Sequence, residues 1–95
     1  RTHILYSDEI TFIESDAGYC NLHKVDGTVA TSSKAIGEFE ALLAYEDFFR
    51  IHQSYLVNCK MIDHIRKKEG ELIVIGGRVL EISRRKKTEF LEYLF

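Results

Sequence analysis

Apolar and polar residues alternate along the first third of the chain, as they do in half-buried β-strands. These segments are rich in β-branched and aromatic residues, and they predict strands over residues 3–6, 10–14, 19–25 and 28–32. Residues 15–18 include Asp and Gly, which favour turns. Asp26 and Gly27 are the pair most typical of a two-residue hairpin turn. Residues 19–32 are therefore predicted to form a β-hairpin.

Two later segments have the three-to-four-residue apolar period of an amphipathic helix. The pattern predicts one helix over residues 34–44 and another over residues 84–94, each preceded by a serine that can cap it, Ser33 and Ser83. The apolar sides consist of Ile36, Phe39, Leu42 and Leu43 in the first helix and of Phe90, Leu91 and Leu94 in the second. Both helices are short, so we expect each to pack on a sheet.

Further short strands are predicted between the helices, over residues 48–51, 61–67, 72–75 and 78–82. Gly76 and Gly77 predict a two-residue hairpin turn between the last two of them. Residues 52–60 mix polar and apolar side chains without a clean period, and we interpret them as a structured turn. Six to eight strands with two helices that do not alternate with them predict a mostly β domain of antiparallel sheets.

Charge changes this picture more than composition does. The chain has 95 residues, of which 45% are hydrophobic and 29% charged, so we expect one ordinary globular domain over residues 1–95. Residues 1–49 contain 3 basic and 9 acidic residues, whereas residues 50–95 contain 10 basic and 6 acidic residues. The second half can therefore present a phosphate-binding surface although the net charge is −2.

Location and chain ends support only simple expectations. No apolar run approaches the roughly 18 residues of a membrane span, and no signal peptide is visible. Two cysteines are too few for a disulfide framework and fit a reducing compartment, so a cytoplasmic protein that does not contact a membrane is expected. Because the first residue is Arg1 rather than Met, we expect a fragment of a longer chain.

Cysteines and histidines offer one candidate chemistry, a metal site. Cys20 and His23 form a C-x-x-H pair, but an odd separation on a strand directs the two side chains to opposite faces. The remaining candidates lack the two tight pairs typical of zinc sites, and they are His3, His52, Cys59 and His64. The spacing therefore predicts no metal site.

Catalytic patterns are also sparse. Ser83 and Lys86 match an S-x-x-K nucleophile pattern, but its companion motifs are absent, and a serine cap on a basic helix explains the same residues. No phosphate-binding loop, nucleophile elbow or H-E-x-x-H motif occurs. Lys60 could lower the thiol pKa of Cys59 if both were exposed, so a redox role stays an open alternative. We expect no enzyme activity and no cofactor.

Basic residues with polar neighbours form two segments suited to nucleic acid. One is the polar stretch at residues 50–54, and the other is the run of four cations at residues 84–87, at the start of the second predicted helix. A helix dipole disfavours cations at the N-terminus, so an anionic partner explains this run better than a solvated surface does. Arg can donate two hydrogen bonds to guanine, and Gln can pair similarly with adenine.

Three segments of the chain resemble the LytTR family of DNA-binding domains. Residues 48–58 match the family's central F-x-R-x-H-x-S-[YF]-[ILV]-[IV]-N stretch. Residues 10–23 (ITFIESDAGYCNLH) are similar to its opening strand, Gly-Tyr-type loop and second strand. Residues 80–94 (LEISRRKKTEFLEYL) are similar to its closing Ser-Arg-Arg helix. The resemblance covers nearly the whole chain, and its central motif is specific.

The resemblance implies a fold and a role. The fold would be an elongated, mostly β domain of about three small antiparallel sheets with two short helices. The domain would be the output domain of a bacterial two-component response regulator, preceded by a receiver domain. It would regulate transcription by binding direct repeats in double-stranded promoter DNA, as a dimer formed through the full-length protein. The alternative from a different class is a protein-interaction module that uses a sheet edge or the acidic first half.

The resemblance also implies contacts by position. Gln53 and Arg85 match loop positions that approach bases, and residues 19–21 match a third, where Cys20 or Asn21 replaces a polar, His-like side chain. The expected phosphate contacts are Arg50, His52, Ser54, Arg84, Lys86 and Lys87. The alternative is that the residues of the polar turn stabilise it internally, and Asn58 in particular is expected to be structural. Tyr55 is expected in the core.

Overall fold

A five-stranded antiparallel sheet lies at the centre of the protein in the computed structural model, which describes residues 6–95. Its strands are β1 (Ile10–Asp16), β2 (Tyr19–Lys24), β3 (Val29–Ser32), β4 (Phe48–His52) and β5 (Tyr55–Asn58). Their spatial order is β3-β2-β1-β5-β4. The first strand, β1, and the last strand, β5, are therefore neighbours at the centre of the sheet. β1 pairs with β5 from Phe12 opposite Val57 to Glu14 opposite Tyr55.

A smaller sheet and two helices complete the described part of the chain. The small sheet consists of β6 (Ile62–Arg66), β7 (Glu71–Val74) and β8 (Val79–Glu81), in that order. The helices are α1 (Ile36–Leu42) and α2 (Arg84–Leu94), and short 3-10 turns occur at Ser7–Glu9 and Cys59–Met61. The molecule measures 45 × 26 × 24 Å, which confirms the elongated, mostly β architecture. No helix in residues 6–95 is long and apolar enough to cross a membrane.

Two apolar clusters cover the opposite faces of the large sheet. Successive residues of a strand point to opposite sides, so Ile13 packs on the α1 side while Phe12 packs on the other. The α1 side contains Ile10, Ile13, Cys20, Leu22, Ile36 and Leu56. The other side joins the large sheet to the small sheet and α2 through Phe12, Ile51, Val57, Leu72, Val74, Leu80, Ile82 and Phe90. α1 therefore lies on one face, and the small sheet with α2 on the other.

The strand pattern and the second helix agree with the structure. The hairpin predicted over residues 19–32 is present, and Ser83 caps α2, since its Oγ accepts a hydrogen bond from the Lys86 N–H at 3.3 Å. Both predicted two-residue turns are longer, however. Lys24 N–H bonds Thr28 O, and Val74 N–H bonds Arg78 O, so each loop has three residues. The third loop residue is glycine with positive φ, +88° in one case and +93° in the other.

The structured turn predicted over residues 52–60 is wrong. That segment contains β5, which lies between β1 and β4 in the large sheet. Leu56 and Val57 are buried on opposite faces of the sheet, and Asn58 is also buried, at 2% exposure. A strand covered on both sides has no polar face, so it lacks the alternation by which half-buried strands are detected.

The first helix also differs from its prediction. α1 is shorter than residues 34–44, its N-cap is Ala35, and Ser33 does not cap it. The hydroxyl of the preceding Ser32 accepts a hydrogen bond from Lys34 N–H instead, which forms a tight turn before the helix. Leu42 is 67% exposed rather than packed.

The number of sheets differs from the prediction, and the strand predicted nearest the N-terminus lies mostly outside the described residues. The residues described form two antiparallel sheets, not three, because β1 to β5 join into one sheet. The strand predicted over residues 3–6 falls mostly on residues 3–5, outside the described part, and Tyr6 itself precedes a 3-10 turn.

Candidate nucleic-acid interface

Three segments meet at one end of the large sheet. β4 ends at His52, and Gln53 and Ser54 form the tight turn into β5. The Ser54 carbonyl accepts a hydrogen bond from Ser15 N–H at 2.9 Å, which places the β1–β2 turn beside the β4–β5 turn. The carbonyl of Ile51 accepts from Ser83 N–H at 2.8 Å, which places the start of α2 beside the same turn. Loops distant in sequence therefore share one end of the molecule.

The β1–β2 turn presents Tyr19 and buries Cys20. Ala17 and Gly18 both have positive φ, +49° and +89°, so two residues suffice to reverse the chain. Tyr19 is 55% exposed, whereas Cys20 is 1% exposed within the cluster under α1. Cys20 as a base contact is therefore wrong. Asn21 lies on the opposite face of β2, half-buried, and its Oδ1 accepts from the Thr31 hydroxyl at 3.2 Å.

The β4–β5 turn is stabilised by its own polar groups. Arg50 Nε donates to the His52 carbonyl at 3.0 Å, and another guanidinium nitrogen donates to the Gln53 carbonyl. His52 Nδ1 accepts from Ser54 N–H at 3.0 Å. The Gln53 side chain is exposed, while its backbone is bonded in place. This turn therefore has the internal bonding that sequence reasoning offered as an alternative to phosphate contact.

The buried residue at the other end of β5 is structural, as expected. Asn58 Nδ2 donates to the Ile10 carbonyl at 2.9 Å, and Asn58 Oδ1 accepts from Lys60 N–H at 3.1 Å. Tyr55 is half-buried against the core and meets the Phe12 ring edge-on at 6.2 Å. These contacts anchor β5 and hence the turn that precedes it.

The start of α2 carries cations with few partners. Arg84 and Arg85 are exposed, and within residues 6–95 neither forms an ion pair or a side-chain hydrogen bond; the same holds for half-buried Lys87. Lys86 lies 3.8 Å from Glu89, a long contact on the helix surface. The cap by Ser83 fixes where the helix begins, so the side chains of residues 84–87 project from a defined position.

An open depression of about 630 Å³ joins the turn to the helix start. Its walls are formed by Glu40, Arg50, His52, Gln53, Ser83, Arg85 and Lys86. Three of these side chains are cationic and one is a carboxylate, so the depression has an excess of positive charge. Sequence reasoning missed Glu40. Its spacing of four residues from buried Ile36 places both on one side of α1, but that spacing does not identify Arg50 as its partner.

Comparisons with known proteins agree with this geometry. The family model of the LytTr DNA-binding domain matches residues 1–95. The chain belongs to the LytTR family. A LytTr DNA-binding domain from Bacillus cereus, assigned to a methyl-accepting/DNA response regulator, has the same fold, with a TM-score of 0.81 over 90% of this chain and 81% of that one at 22% identity. A comparison with curated proteins finds no match.

Membership of a DNA-binding family gives this LytTR domain a DNA partner and places it outside the enzyme families. It confirms the resemblance that three sequence segments indicated. The structure then shows which expected contacts come together. Gln53 and Arg85 line the same depression, with Arg50, His52 and Lys86, whereas Cys20 lies in the core.

Cysteines and histidines of the LytTR domain lie apart from this end or in structural positions. Residues 6–95 contain no group of three or more His, Cys, Asp or Glu side chains arranged to hold a metal ion. Cys20 and His23 point to opposite faces, as their spacing predicts, since the His23 ring stacks on Phe12 at 4.1 Å. Burial, followed by the Asp47 charge, raises the pKa of Cys59 to about 12. Cys59 is half-buried, so the exposure under which Lys60 could lower its pKa is not met.

Proposed function

We propose that this LytTR domain recognises specific promoter sequences with the end of the molecule that carries Gln53 and Arg85. The single observation behind the proposal is the shared depression, where a rigid turn and a free basic helix start lie side by side. A fixed turn suits base recognition, because base contacts demand defined geometry. Free cations suit the phosphate backbone, which demands charge more than geometry.

Base contacts are assigned to Gln53 and Arg85, two exposed side chains that line the depression. Gln53 extends from a turn whose backbone is bonded at both ends, and its amide can pair with adenine. Arg85 lies in the first turn of α2 with no partner in residues 6–95, and its guanidinium can pair with guanine. Asn21 is a third candidate, since it lies near the β1–β2 turn on the face that does not pack under α1.

Phosphate contacts are assigned mainly to Arg84, Lys86 and Lys87. Ser54 and His52, the other polar side chains of this segment, are further candidates. The His52 Nδ1 accepts a hydrogen bond from the backbone N–H of Ser54. A neutral His52 then has its proton on Nε2, which can donate to a phosphate oxygen. Phosphate contacts of this kind set the position on the duplex without reading its sequence.

The experiment is a selection of bound duplexes from a random pool, followed by affinity measurements on the selected site. We expect a defined site, and we expect the affinity to fall steeply with salt. If Arg84, Lys86 and Lys87 neutralise about three phosphates, log K against log[salt] has a slope of about −3. A flat salt dependence, or a pool that yields no preferred sequence, would contradict the proposal and leave a protein-interaction module.

The wider role is the regulated one that the structural relative suggests. We place the domain at the output end of a two-component response regulator, where it binds direct repeats as a dimer formed by the full-length protein. A longer chain with a receiver domain should bind a two-repeat duplex more tightly once phosphorylated, while the isolated domain is indifferent to the phosphoryl donor. Equal affinity of the phosphorylated and unphosphorylated chains would remove this part of the proposal.

A further inference from the structure

Arg50 uses all three of its guanidinium nitrogens within the protein. Nε donates to the His52 carbonyl at 3.0 Å, one terminal nitrogen donates to the Gln53 carbonyl, and the other donates to Glu40 Oε1 at 3.0 Å. The Arg50 side chain is only 20% exposed. A guanidinium in this arrangement is a brace for the turn, because two of its three acceptors are the carbonyls of His52, where β4 ends, and of Gln53, where the turn begins.

Glu40 reaches the brace from a different element. It lies on α1, whose buried Ile36 packs on the large sheet, and its carboxylate is 48% exposed at the edge of the depression. Its contact with Arg50 neutralises a cation that would otherwise face the same space as Arg85. The carboxylate also repels any phosphate that enters the depression.

We propose that Glu40 and Arg50 are positioning residues that set the base preference of Gln53, and that Arg50 is not a phosphate contact. The inference rests on the proposed role of Gln53. Arg50 fixes the backbone carbonyls of His52 and Gln53, which lie on the two sides of the Gln53 Cα, and Glu40 orients the guanidinium that does so. Without this brace Gln53 samples several directions, and its two hydrogen bonds to one base are the first to be disrupted.

Lysine at position 50 separates this role from phosphate binding. Arg50→Lys keeps the charge but cannot donate from three fixed nitrogens, so it removes the brace and retains the attraction to phosphate. We expect discrimination at the base pair read by Gln53 to fall about tenfold, as in Gln53→Ala, with an unchanged salt slope. If Arg50 instead contacts phosphate, Arg50→Lys retains both affinity and discrimination, and Arg50→Ala flattens the salt slope by about 0.9.

Glu40→Gln tests the other half of the pair. It removes a negative charge from the depression, so affinity for all duplexes rises about two- to fivefold while discrimination at the same base pair falls. The matched control is Glu38→Gln, the same charge change two residues away on α1, exposed and without an ion pair in residues 6–95. The control should leave discrimination unchanged.

The pair also predicts non-additivity. Because Glu40 acts on Gln53 only through Arg50, the double variant should lose no more discrimination than Arg50→Lys alone. Thermal melting of each variant monitors folding, and Glu40→Gln, a change at a half-exposed carboxylate, keeps the test usable if Arg50→Lys unfolds.

The outcomes separate the inference from the proposed function. A wild-type domain that prefers no sequence contradicts the proposed function itself. A wild-type domain that discriminates, loses discrimination in Gln53→Ala and keeps it in both Arg50→Lys and Glu40→Gln contradicts only the positioning pair. Loss of discrimination in Glu38→Gln as large as in Glu40→Gln would also overturn it, because general charge would then be the cause.

Discussion

The β4–β5 turn and the start of α2 lie side by side, yet their polar groups are used in opposite ways. In the turn, Arg50 and His52 are bonded to backbone atoms of the same segment. At the helix start, Arg84 and Arg85 have no partner within the described residues, although Ser83 beside them is fully engaged as a cap. In the turn the guanidinium of Arg50 is bonded within the protein, whereas at the helix start the guanidinium groups of Arg84 and Arg85 have no partner within the described residues.

This difference favours different roles for the basic residues at this end of the molecule. Sequence position alone made Arg50 and Arg84 equivalent candidates, and only their partners distinguish them. A rigid turn lowers the entropic cost of holding one side chain against a base, while free side chains at a helix start lose mobility only when they meet phosphate. We expect changes in the two regions to affect different measured quantities.

The largest effect is expected from Phe90→Ala, which removes the support of the helix start. Phe90 is fully buried and packs on Phe49 with ring centroids 5.2 Å apart. Its removal should lower the free energy of unfolding by about 3–5 kcal/mol, measured by urea denaturation. Glu92→Ala, an exposed change on the same helix, should stay within about 0.5 kcal/mol. Equal stability of the two variants would show that α2 is not anchored through Phe90.

Arg85→Ala should have the largest effect on binding. Removing a guanidinium that pairs with guanine should cost about 1–3 kcal/mol on the selected site and relax preference at one base pair. Affinity is measured on matched and single-mismatch duplexes, with melting as a folding check. A uniform loss on every duplex would make Arg85 a phosphate contact like its neighbours. Arg85→Lys should resemble the alanine variant, because lysine lacks the paired donors.

Ser83→Ala should lower the stability of the protein more than it weakens DNA binding. Ser83 Oγ accepts from Lys86 N–H, and removal of such a cap costs about 1 kcal/mol. Ser33→Ala is the matched control, since Ser33 precedes α1 without capping it and should change the free energy of unfolding by less than about 0.5 kcal/mol. Equal losses of stability in the two variants would contradict a capping role that belongs to Ser83 and not to Ser33.

Lys87→Ala should act on charge alone. Because one cation no longer neutralises a phosphate, selected and unrelated duplexes should bind more weakly by the same factor, and the salt slope should flatten by about 0.9. Titrations at two or more salt concentrations on both duplexes measure this. A preference that changes with sequence in this variant would contradict the division between the two regions.

Sequence reasoning succeeded where one local signal decided the structure. α2 has its predicted bounds because a capping serine and a helical apolar period agree at residues 83–94. The hairpin of residues 19–32 follows from alternation and an Asp-Gly turn. The failures share another cause, because they depend on what covers a segment. β5 has no alternation since it is covered on both faces, and Asn58 is polar yet buried.

The candidate site was partly predictable for the same reason. Gln53 and Arg85 follow from motif position, and their shared depression agrees with that placement. Cys20 failed because an error of one residue along a strand exchanges the buried and exposed faces. Glu40 could not be assigned, since its contact with Arg50 depends on how α1 packs against β4, and no pattern within α1 reveals that partner.

The smallest expected effect concerns a third region, the contact between the two sheets, where a carboxylate is paired as fully as Arg50 is. Glu14 accepts from His23 Nε2 at 3.0 Å and from Arg78, in the β7–β8 loop, at 3.1 Å. Partial burial acts to raise the pKa of Glu14, but the His23 hydrogen bond and the Arg78 charge outweigh it, so that pKa lies below its ordinary value.

A depressed pKa in the folded state means that the ionised carboxylate stabilises the fold. This contribution is complete above the ordinary pKa of 4.5 and disappears as pH falls through the lower pKa of the folded protein. Glu14→Gln should therefore reduce the free energy of unfolding at pH 7 by about 0.5–1 kcal/mol and make it less dependent on pH below about pH 4.5. Urea denaturation at pH 7 and at pH 3.5 measures both. Asp16→Asn, an exposed change on the same strand without an ion pair in residues 6–95, should keep the wild-type pH dependence. If Glu14→Gln also keeps the wild-type pH dependence, the ion pair between the sheets contributes no more to stability than a solvated surface pair. The comparison of Glu14 with Arg50 would then be contradicted.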